Sequence, residues 1–327
     1  MKTLILKKII LTFTLFYSVC GNIQSQEGCT DSLANNFKKD ATENNGSCVY
    51  KADMVSIISA YPLDDVLSET SGLIYWEDML WTHNDSQDPI LYKINPADGA
   101  ISGNLSLEPQ INVDWEEISL DEHYIYIGDF GNNENGNRRD LKIIRVSKSS
   151  ILSTTPEMDN IYFSYEDQTD YSPQGPNNTD LDCEAFIITD DSIFLFTKAW
   201  KTYKTRVYKL PKTPGAHTAK LHSFYNINGL ITGAVYKKTE GIIALSGYDF
   251  LLQPFVFLLY DFKGNDFFGG NKRKLHIDLP FYQVEAITTN DGLNYFITNE
   301  RFDPTGTMQH LYTLDLSPYL EHYLLQK

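Results

Sequence analysis

The sequence is short of positive charge. Its 327 residues hold 27 Lys and Arg against 43 Asp and Glu, a formal net charge of −16. Phosphate recognition needs clustered Lys and Arg, so this balance argues against a nucleic-acid or anionic-lipid partner and attracts cations. Long apolar runs are missing as well. The stretch over residues 9–19 carries Thr, Tyr and Ser and is too short to cross a bilayer. Lys2, Lys7 and Lys8 precede it and polar residues follow from Asn22, so residues 1–25 read as an export leader cleaved after Ser25. The rival reading lipidates Cys20, but Val19 is bulky where a small residue is expected. Either way the expected address is secreted, periplasmic or outer-surface.

Cysteine is sparse: four residues, of which Cys20 leaves with the leader. Cys29 and Cys48 bracket a loop in which export permits a disulfide. Cys183 is then unpaired. It stands between Asp182 and Glu184 with no cationic neighbour to activate it, and reads as a buried structural thiol. Catalytic signatures are absent too: no GxSxG, HExxH, paired CxxC, Walker loop or Rossmann glycine pattern occurs. His83 has no partner at metal spacing and reads as a hydrogen-bonded turn residue.

What is present is aromatic and repetitive. Aromatics make up 13% of the chain, with 21 Tyr and 18 Phe, which suits half-buried pleated surfaces. One apolar strand recurs five times: ILYKIN (90–95), LKIIRV (141–146), RVYKLP (206–211), FLLYDF (257–262) and HLYTLD (310–315). The corresponding residues Tyr92, Ile144, Tyr208, Tyr260 and Tyr312 are separated by 52, 64, 52 and 52 positions. Before each copy stand an earlier strand (SGLIY, EEISL, EAFII, TGAVY, EAITT) and a hairpin partner (MLWTHND, YIYIGDF, IFLFTKA, IIALSGY, NYFITNE). After four of them comes one more candidate strand: ISGNLSL, NIYFSYE, KLHSFYN and KLHIDLP. Four strands at a period near 50 predict an all-β fold, a β-propeller of about five four-stranded blades. The last unit lacks its fourth strand, which MVSIIS (54–59) supplies from the N-terminal side, closing the ring. The 64-residue spacing leaves room for a sixth, degenerate blade around a Pro/Asn-rich loop at 172–179. The expected layout is a leader over 1–25, a Cys29–Cys48 module over 26–52, the propeller over 53–317 and a tail over 318–327.

In a propeller the innermost strands line a central channel. Their equivalent first positions are Ser71, Glu116, Glu184, Thr232 and Glu285. Residues ending the next strand, Asn84, Asp129, Thr197, Ser246 and Thr298, form a second ring near one mouth, with Asp85, Lys198, Asn299, Glu300 and Arg301 just beyond. Carboxylates so close raise one another's pKa unless a cation, a Lys or Arg, or a proton neutralises them. Hard oxygen donors in this number suit Ca²⁺ or Mg²⁺ rather than Zn²⁺, with Glu116, Glu184 and Glu285 as ligands. The plain alternative is that these glutamates end strands or pair with Lys198 and Arg301. Three functions follow: a binding propeller for a cation or small ligand, a calcium-dependent hydrolase of phosphoesterase type in which the metal polarises an oxygen and a carboxylate activates water, or a structural or adhesive protein with a cell-envelope partner. The loop GDFGNNENGNRRD (128–140) lacks the Asp that begins an EF-hand loop and reads as an ordered turn over the channel mouth.

Two resemblances sit on these residues. GCTDSLANNFKKDATENNGSCVY (28–50) resembles a motif of secreted proteins from Bacteroidetes-type bacteria. Its oxygen donors, Asp31, Asn35, Asn36, Asp40 and Asn45, read either as a Ca²⁺ loop or as turn formers. THNDS (82–86), DWEEI (114–118), YIGDFGNN (126–133), DCEAF (182–186), FTK (196–198) and VEAI (284–287) resemble a widespread family of bacterial secreted β-propellers patterned HNDSG, DWEDIA, YIGDIGDN, DAEAL, TK and EA. That family is more distantly similar to phytase-like and esterase-like propellers. Gln87, Glu117 and Asn132 depart from its pattern. The resemblance implies the propeller and an acidic channel, without an activity.

Overall fold

A computed structural model describes residues 25–152 and 155–327. The leader, with its Cys20 alternative, lies outside the described residues apart from Ser25. No helix is long and apolar enough to cross a membrane among the described residues.

Five antiparallel blades follow one another. Their inner strands are Thr70–Trp76, Trp115–Leu120, Asp182–Ile188, Leu230–Lys237 and Val284–Thr289. These strands neighbour one another in a closed circle, the last against the first. The recurring apolar strand is the third of each blade, at Ile90–Ile94, Lys142–Ser147, Lys204–Pro211, Pro254–Tyr260 and His310–Asp315. Burial explains the residue choice. Central strands such as Ile242–Tyr248 and Pro254–Tyr260 are buried throughout, because neighbouring blades cover both faces, and they are written in nearly continuous apolar residues. Outer strands such as Ile101–Ser106 have one covered face and alternate. Between blades 1 and 2, for example, Ile74, Trp81 and Leu91 meet Ile118, Ile125 and Ile144. Truncating one such buried Ile or Leu to Ala costs about 2–5 kcal/mol.

The ring closes as expected in kind but not in register. Blade 5 takes its outer strand from Ile57–Pro62, which pairs antiparallel with His310–Asp315. Met54–Val55, the start of the expected closing strand, instead adds parallel to the outer strand of blade 4, Asn271–Ile277. Among the described residues no sixth blade fills the 64-residue spacing. The outer strand of blade 3, Gly215–Asn226, is long enough to pair also with Met158–Tyr165 of blade 2, and residues 166–181 form no strand. Helix Ser317–Leu324 buries Leu320 and Tyr323 against blades 4 and 5.

Cys29 and Cys48 are joined in a disulfide. The loop they close docks on blade 4. Tyr50 and Tyr260 both donate to Asp31 Oδ2, at 2.7 and 2.6 Å, and Lys272 Nζ donates to the Gly46 carbonyl at 3.0 Å. Its amide oxygens close its own turns: Asn36 Oδ1 accepts from Val49 N and Asn45 Oδ1 from Ser47 N. Both acidic groups of metal-ligand size among the described residues lie elsewhere, in the propeller.

Candidate functional site

Each inner strand carries a β-bulge at the same point. Pairing with the second strand skips Gly72, Glu116, Glu184, Thr232 and Glu285 in the five blades. A bulge leaves its residue out of the ladder and re-aims the side chain. Three of these five residues are glutamates, which thereby meet at the axis. The equivalent residue in blade 1 is therefore Gly72 and not Ser71.

The bulges surround a cavity of about 170 Å³. Six carboxylates line it: Asp85, Asp114, Glu116, Glu184, Glu285 and Glu300. Lys198 is the one cation lining it among the described residues. Its Nζ stands 3.1 Å from Glu184 Oε1 and 3.7 Å from Glu285 Oε2, and lies over the rings of Trp200 and Tyr248 at 5.0 and 5.3 Å. Such contacts add to the attraction of the carboxylates. Burial opposes the ammonium charge, but Glu184 and Glu285 outweigh it and hold the lysine pKa well above its usual value.

Asp182 lies just behind the wall, fully buried. Its Oδ1 accepts from Asn132 N at 2.6 Å and its Oδ2 from Trp200 Nε1 at 2.7 Å. Oxygens of Glu116, Asp182 and Glu184 lie within 4.8 Å of one another. Gly131 makes that crowding feasible, since a Cβ there would collide with Glu116 Oε1 and the Asp114 carboxyl. One lysine cannot neutralise so many acids. Burial, then Glu184, drives Glu116 well above the ordinary carboxyl range. Burial, then Asp182, pushes Asp114 up to about 7. Burial pushes Glu184 up to about 7 against the pull of Lys198, and Glu285 and Glu300 up to about 8.

The lower end is closed by Glu117. Its Oε2 accepts from Ala234 N at 2.6 Å and its Oε1 from Ile118 N at 2.9 Å, and Leu73 N donates as well. One side chain thus ties the inner strands of blades 1, 2 and 4 across the axis. At the upper mouth, loops 131–139 and 172–179 are joined by Asn177 N to Asn133 O and Gln174 N to Asn135 O, at 2.8 and 2.9 Å. Asn133 and Asn177 face the cavity, so the 128–140 loop is an ordered turn over the mouth.

Of the residues read from the sequence, Ser71, Asp85, Glu116, Glu184, Lys198, Glu285 and Glu300 share this cavity. Ser71 also donates to the Glu116 carbonyl, at 2.5 Å. Asn84, Asp129 and Arg301 lie outside it. Asn84 Nδ2 donates to the Val66 carbonyl, Asp129 is held by Arg138 at 2.8 Å and Lys142 at 3.4 Å, and Arg301 turns to Asp303 at 2.7 Å. Thr197, Ser246 and Thr298 are buried within the sheets, and Thr232 donates to the Val284 carbonyl at 2.6 Å. The bulge accounts for Asp129 and Thr197: it adds one residue to the inner strand, and a count across the hairpin that is off by one reverses the face of a side chain. Of the three glutamates read as metal ligands, Glu285 faces Lys198, and Asp182 completes the close set with Glu116 and Glu184. Asp114, Asp182, Trp200, Tyr248 and Gln283 were missed. Alternation carried a signal for three of them: D-x-E recurs at Asp114/Glu116 and Asp182/Glu184, and Q-x-E at Gln283/Glu285, two apart on one face. His83 is a buried strand residue with Nδ1 3.0 Å from the Asn84 carbonyl, and burial lowers its pKa to about 4. Cys183 is fully buried.

No family model matches this chain, and no curated protein does. Among solved structures it is similar to an exo-1,5-alpha-L-arabinanase from a bovine ruminal metagenomic library: 10% identity over 77% of this chain and 95% of that one, TM-score 0.47. It is also similar to the RRP9 WD40 repeats, 10% identical over 75% of this chain and 67% of that one, TM-score 0.37. A chain of the mitotic checkpoint complex is 8% identical over 75% of this chain, which spans 61% of that one, with a TM-score of 0.35. The five-bladed fold rests on the strand pairing, and the activities of these proteins are not transferred to this one.

Proposed function

We propose that this propeller is an exported binding protein of the secreted-propeller family it resembles, and that its axial cavity holds a hard divalent cation, Ca²⁺ in preference to Zn²⁺. The observation that carries this is the Glu116–Asp182–Glu184 set. Ligands to one Ca²⁺ stand about 2.3–2.6 Å from it, so two of them lie at most about 5.2 Å apart. The three carboxylates meet that limit at 4.8 Å. Glu285, 5% exposed, adds a further carboxylate to the cavity: its Oε2 accepts no hydrogen bond and, among the described residues, has only Lys198 Nζ, at 3.7 Å, to balance it. Without a cation the acids hold protons, which is the meaning of their raised pKa values. A cation displaces those protons, so its affinity rises with pH. The Cys29–Cys48 disulfide supports the exported address, since such bonds persist in oxidising compartments.

The test is CaCl₂ titration of the EDTA-treated protein at pH 8, by calorimetry in two buffers of different ionisation enthalpy and by melting. The expected results are proton release and a Tm rise of about 4 °C at a hundredfold excess over Kd. Both should shrink at pH 5.5 and disappear in Asp182→Asn. Unchanged heat and Tm at pH 8 would remove the cation from the site.

A further inference from the structure

One spacing between blades is 64 residues where the others are 52, and the added length holds the strandless segment 166–181. The axial cavity uses only Asn177 of that segment. Its neighbour Asn178, with Asp167, Gln168, Thr169 and Asp180, lines a separate cavity of about 270 Å³. Trp200 and Lys201 divide in the same way, the first lining the axial cavity and the second this one. Several polar groups here are free. Gln168 is 8% exposed; its Nε2 donates to the Gly136 carbonyl at 3.0 Å, and its Oε1 accepts from no donor. Asp180, 9% exposed, accepts through Oδ1 from the amides of Lys201 and Thr202 at 3.0 and 3.1 Å. Its Oδ2 stands 3.9 Å from Arg206 Nη2. That gap is too long for a hydrogen bond. It fits a hydroxyl oxygen about 2.8 Å from each, accepting from the guanidinium and donating to the carboxylate. The Lys201 ammonium makes no ion pair or hydrogen bond among the described residues.

An apolar shelf adjoins this cavity. In the pairing of Lys204–Pro211 with Gly215–Asn226, Phe224 lies directly opposite Arg206, so the two side chains share one face of the sheet. Arg206, Phe224, Leu221, Lys204 and Asp167 line a neighbouring cavity of about 310 Å³, and the two cavities share Asp167 and Arg206. Phe224 is 67% exposed and Leu221 41%. The shared pair is fixed in place: Arg206 Nη1 donates to Asp167 Oδ2 at 3.0 Å, and the Tyr208 hydroxyl donates to Asp167 Oδ1 at 3.0 Å. A held guanidinium and carboxylate thus separate a polar hollow from an exposed aromatic ring.

We infer that this double cavity binds a neutral oligosaccharide. One sugar ring sits among Gln168, Asp180, Lys201 and Arg206, and the next lays its C–H face on Phe224. A sugar hydroxyl donates and accepts at once, so its site needs both kinds of partner side by side. Asp180 Oδ2 and Gln168 Oε1 accept, and Arg206 Nη2 and Lys201 Nζ donate. Acids and bases are mixed along the lining, which suits an uncharged, hydroxyl-rich ligand better than an ion of either sign. The C–H face of a sugar ring is apolar and slightly positive, and the negative face of an aromatic ring complements it. A few fixed polar groups beside an apolar wall are what a small-molecule site requires. The inference does not depend on the metal, which belongs to the axial cavity.

Calorimetry and saturation-transfer NMR on the exported chain in EDTA test it, with cellotetraose, xylotetraose, mannotetraose and maltotetraose as probes. At least one should bind with a Kd of about 0.1–1 mM, with transfer strongest at ring C–H protons. Phe224→Ala should weaken that binding at least about tenfold, and Lys201→Ala about threefold. Both side chains are exposed, so both variants should melt like the parent. Silence of all four sugars at about 5 mM, or parental affinity in Phe224→Ala, overturns the inference. Tighter binding of tetragalacturonate than of any neutral sugar, lost in Lys201→Ala, overturns it in favour of an anionic ligand.

Discussion

Glu116 and Glu117 are consecutive residues of one strand and mark two regions with opposite properties, the wall of the axial cavity and its floor. Both are buried acids, and burial drives both pKa values well up. At the floor, backbone amides of Ile118, Ala234 and Leu73 serve the Glu117 oxygens. At the wall, Glu116 meets other acids, first among them Glu184. The difference shows that acid type and burial do not distinguish a strut from a site. Where the donors come from does: a carboxylate satisfied by its own fold has nothing left for a ligand, whereas one facing other carboxylates still needs a proton or a cation.

The sharpest way to break this contrast is to change Glu117. Glu117→Ala leaves buried amides in three blades without an acceptor, at about 1–3 kcal/mol each. Stability should fall by about 3–6 kcal/mol, or roughly 5–10 °C in Tm for a chain of this size. Glu117→Gln should fare little better, because its NH₂ group would face an N–H donor. Thermal melting reads both, and a Glu117→Gln protein as stable as the parent would make the floor no different from the wall.

The wall should show itself next, through pH. Glu184 and Asp114 at about 7, and Glu285 and Glu300 at about 8, keep protons in the folded protein that the unfolded chain releases near pH 4.5. The folded state then binds more protons, so stability falls as pH rises. In EDTA the penalty should be absent below about pH 4 and grow between about pH 4.5 and 8, to about 3 kcal/mol or roughly 5 °C. Lys198 is charged throughout this range and adds no slope. Saturating Ca²⁺ should flatten the profile. Glu116→Gln removes one of the crowded acids, so in EDTA at pH 8 it should raise stability by about 1 kcal/mol while abolishing the calcium response. A metal-free melting profile flat from pH 5 to 8.5 would mean that the wall acids are satisfied after all.

The sequence carried the blades and less of the axis, for a physical reason. Blade number follows from period, and strand positions from burial: central strands covered on both faces are nearly continuous in apolar residues and outer ones alternate, which composition reports directly. The bulge is invisible to hydropathy. It inserts one residue without changing the apolar pattern, so counting across the hairpin set Ser71 level with the glutamates where Gly72 stands, and selected Thr197 where Lys198 projects. Asp182 was legible as the partner two before Glu184. The role of Glu117 was not, since its donors lie in strands far away in sequence. The closing strand was found with its start misplaced, because Met54–Val55 is as strand-like as Ile57–Pro62 and only the ring geometry sends the two to different blades.

The N-terminal module extends the contrast to a third place. Its oxygens looked as ready for a cation as those of the channel, yet Asp31 resembles Glu117 and not Glu116. It accepts from Leu33 N at 2.8 Å and from the hydroxyls of Tyr50 and Tyr260. Asp31→Asn keeps the shape but turns one acceptor into a donor against a tyrosine or an amide. The loss should be about 1–2 kcal/mol, felt mostly where the module meets blade 4, because Tyr260 belongs to that blade. Hydrogen exchange should show faster opening across residues 26–50, with the cavity's calcium response unchanged. A calcium response that fell with Asp31 would put the cation in the module, and the donor count would then have misled at both ends of the comparison.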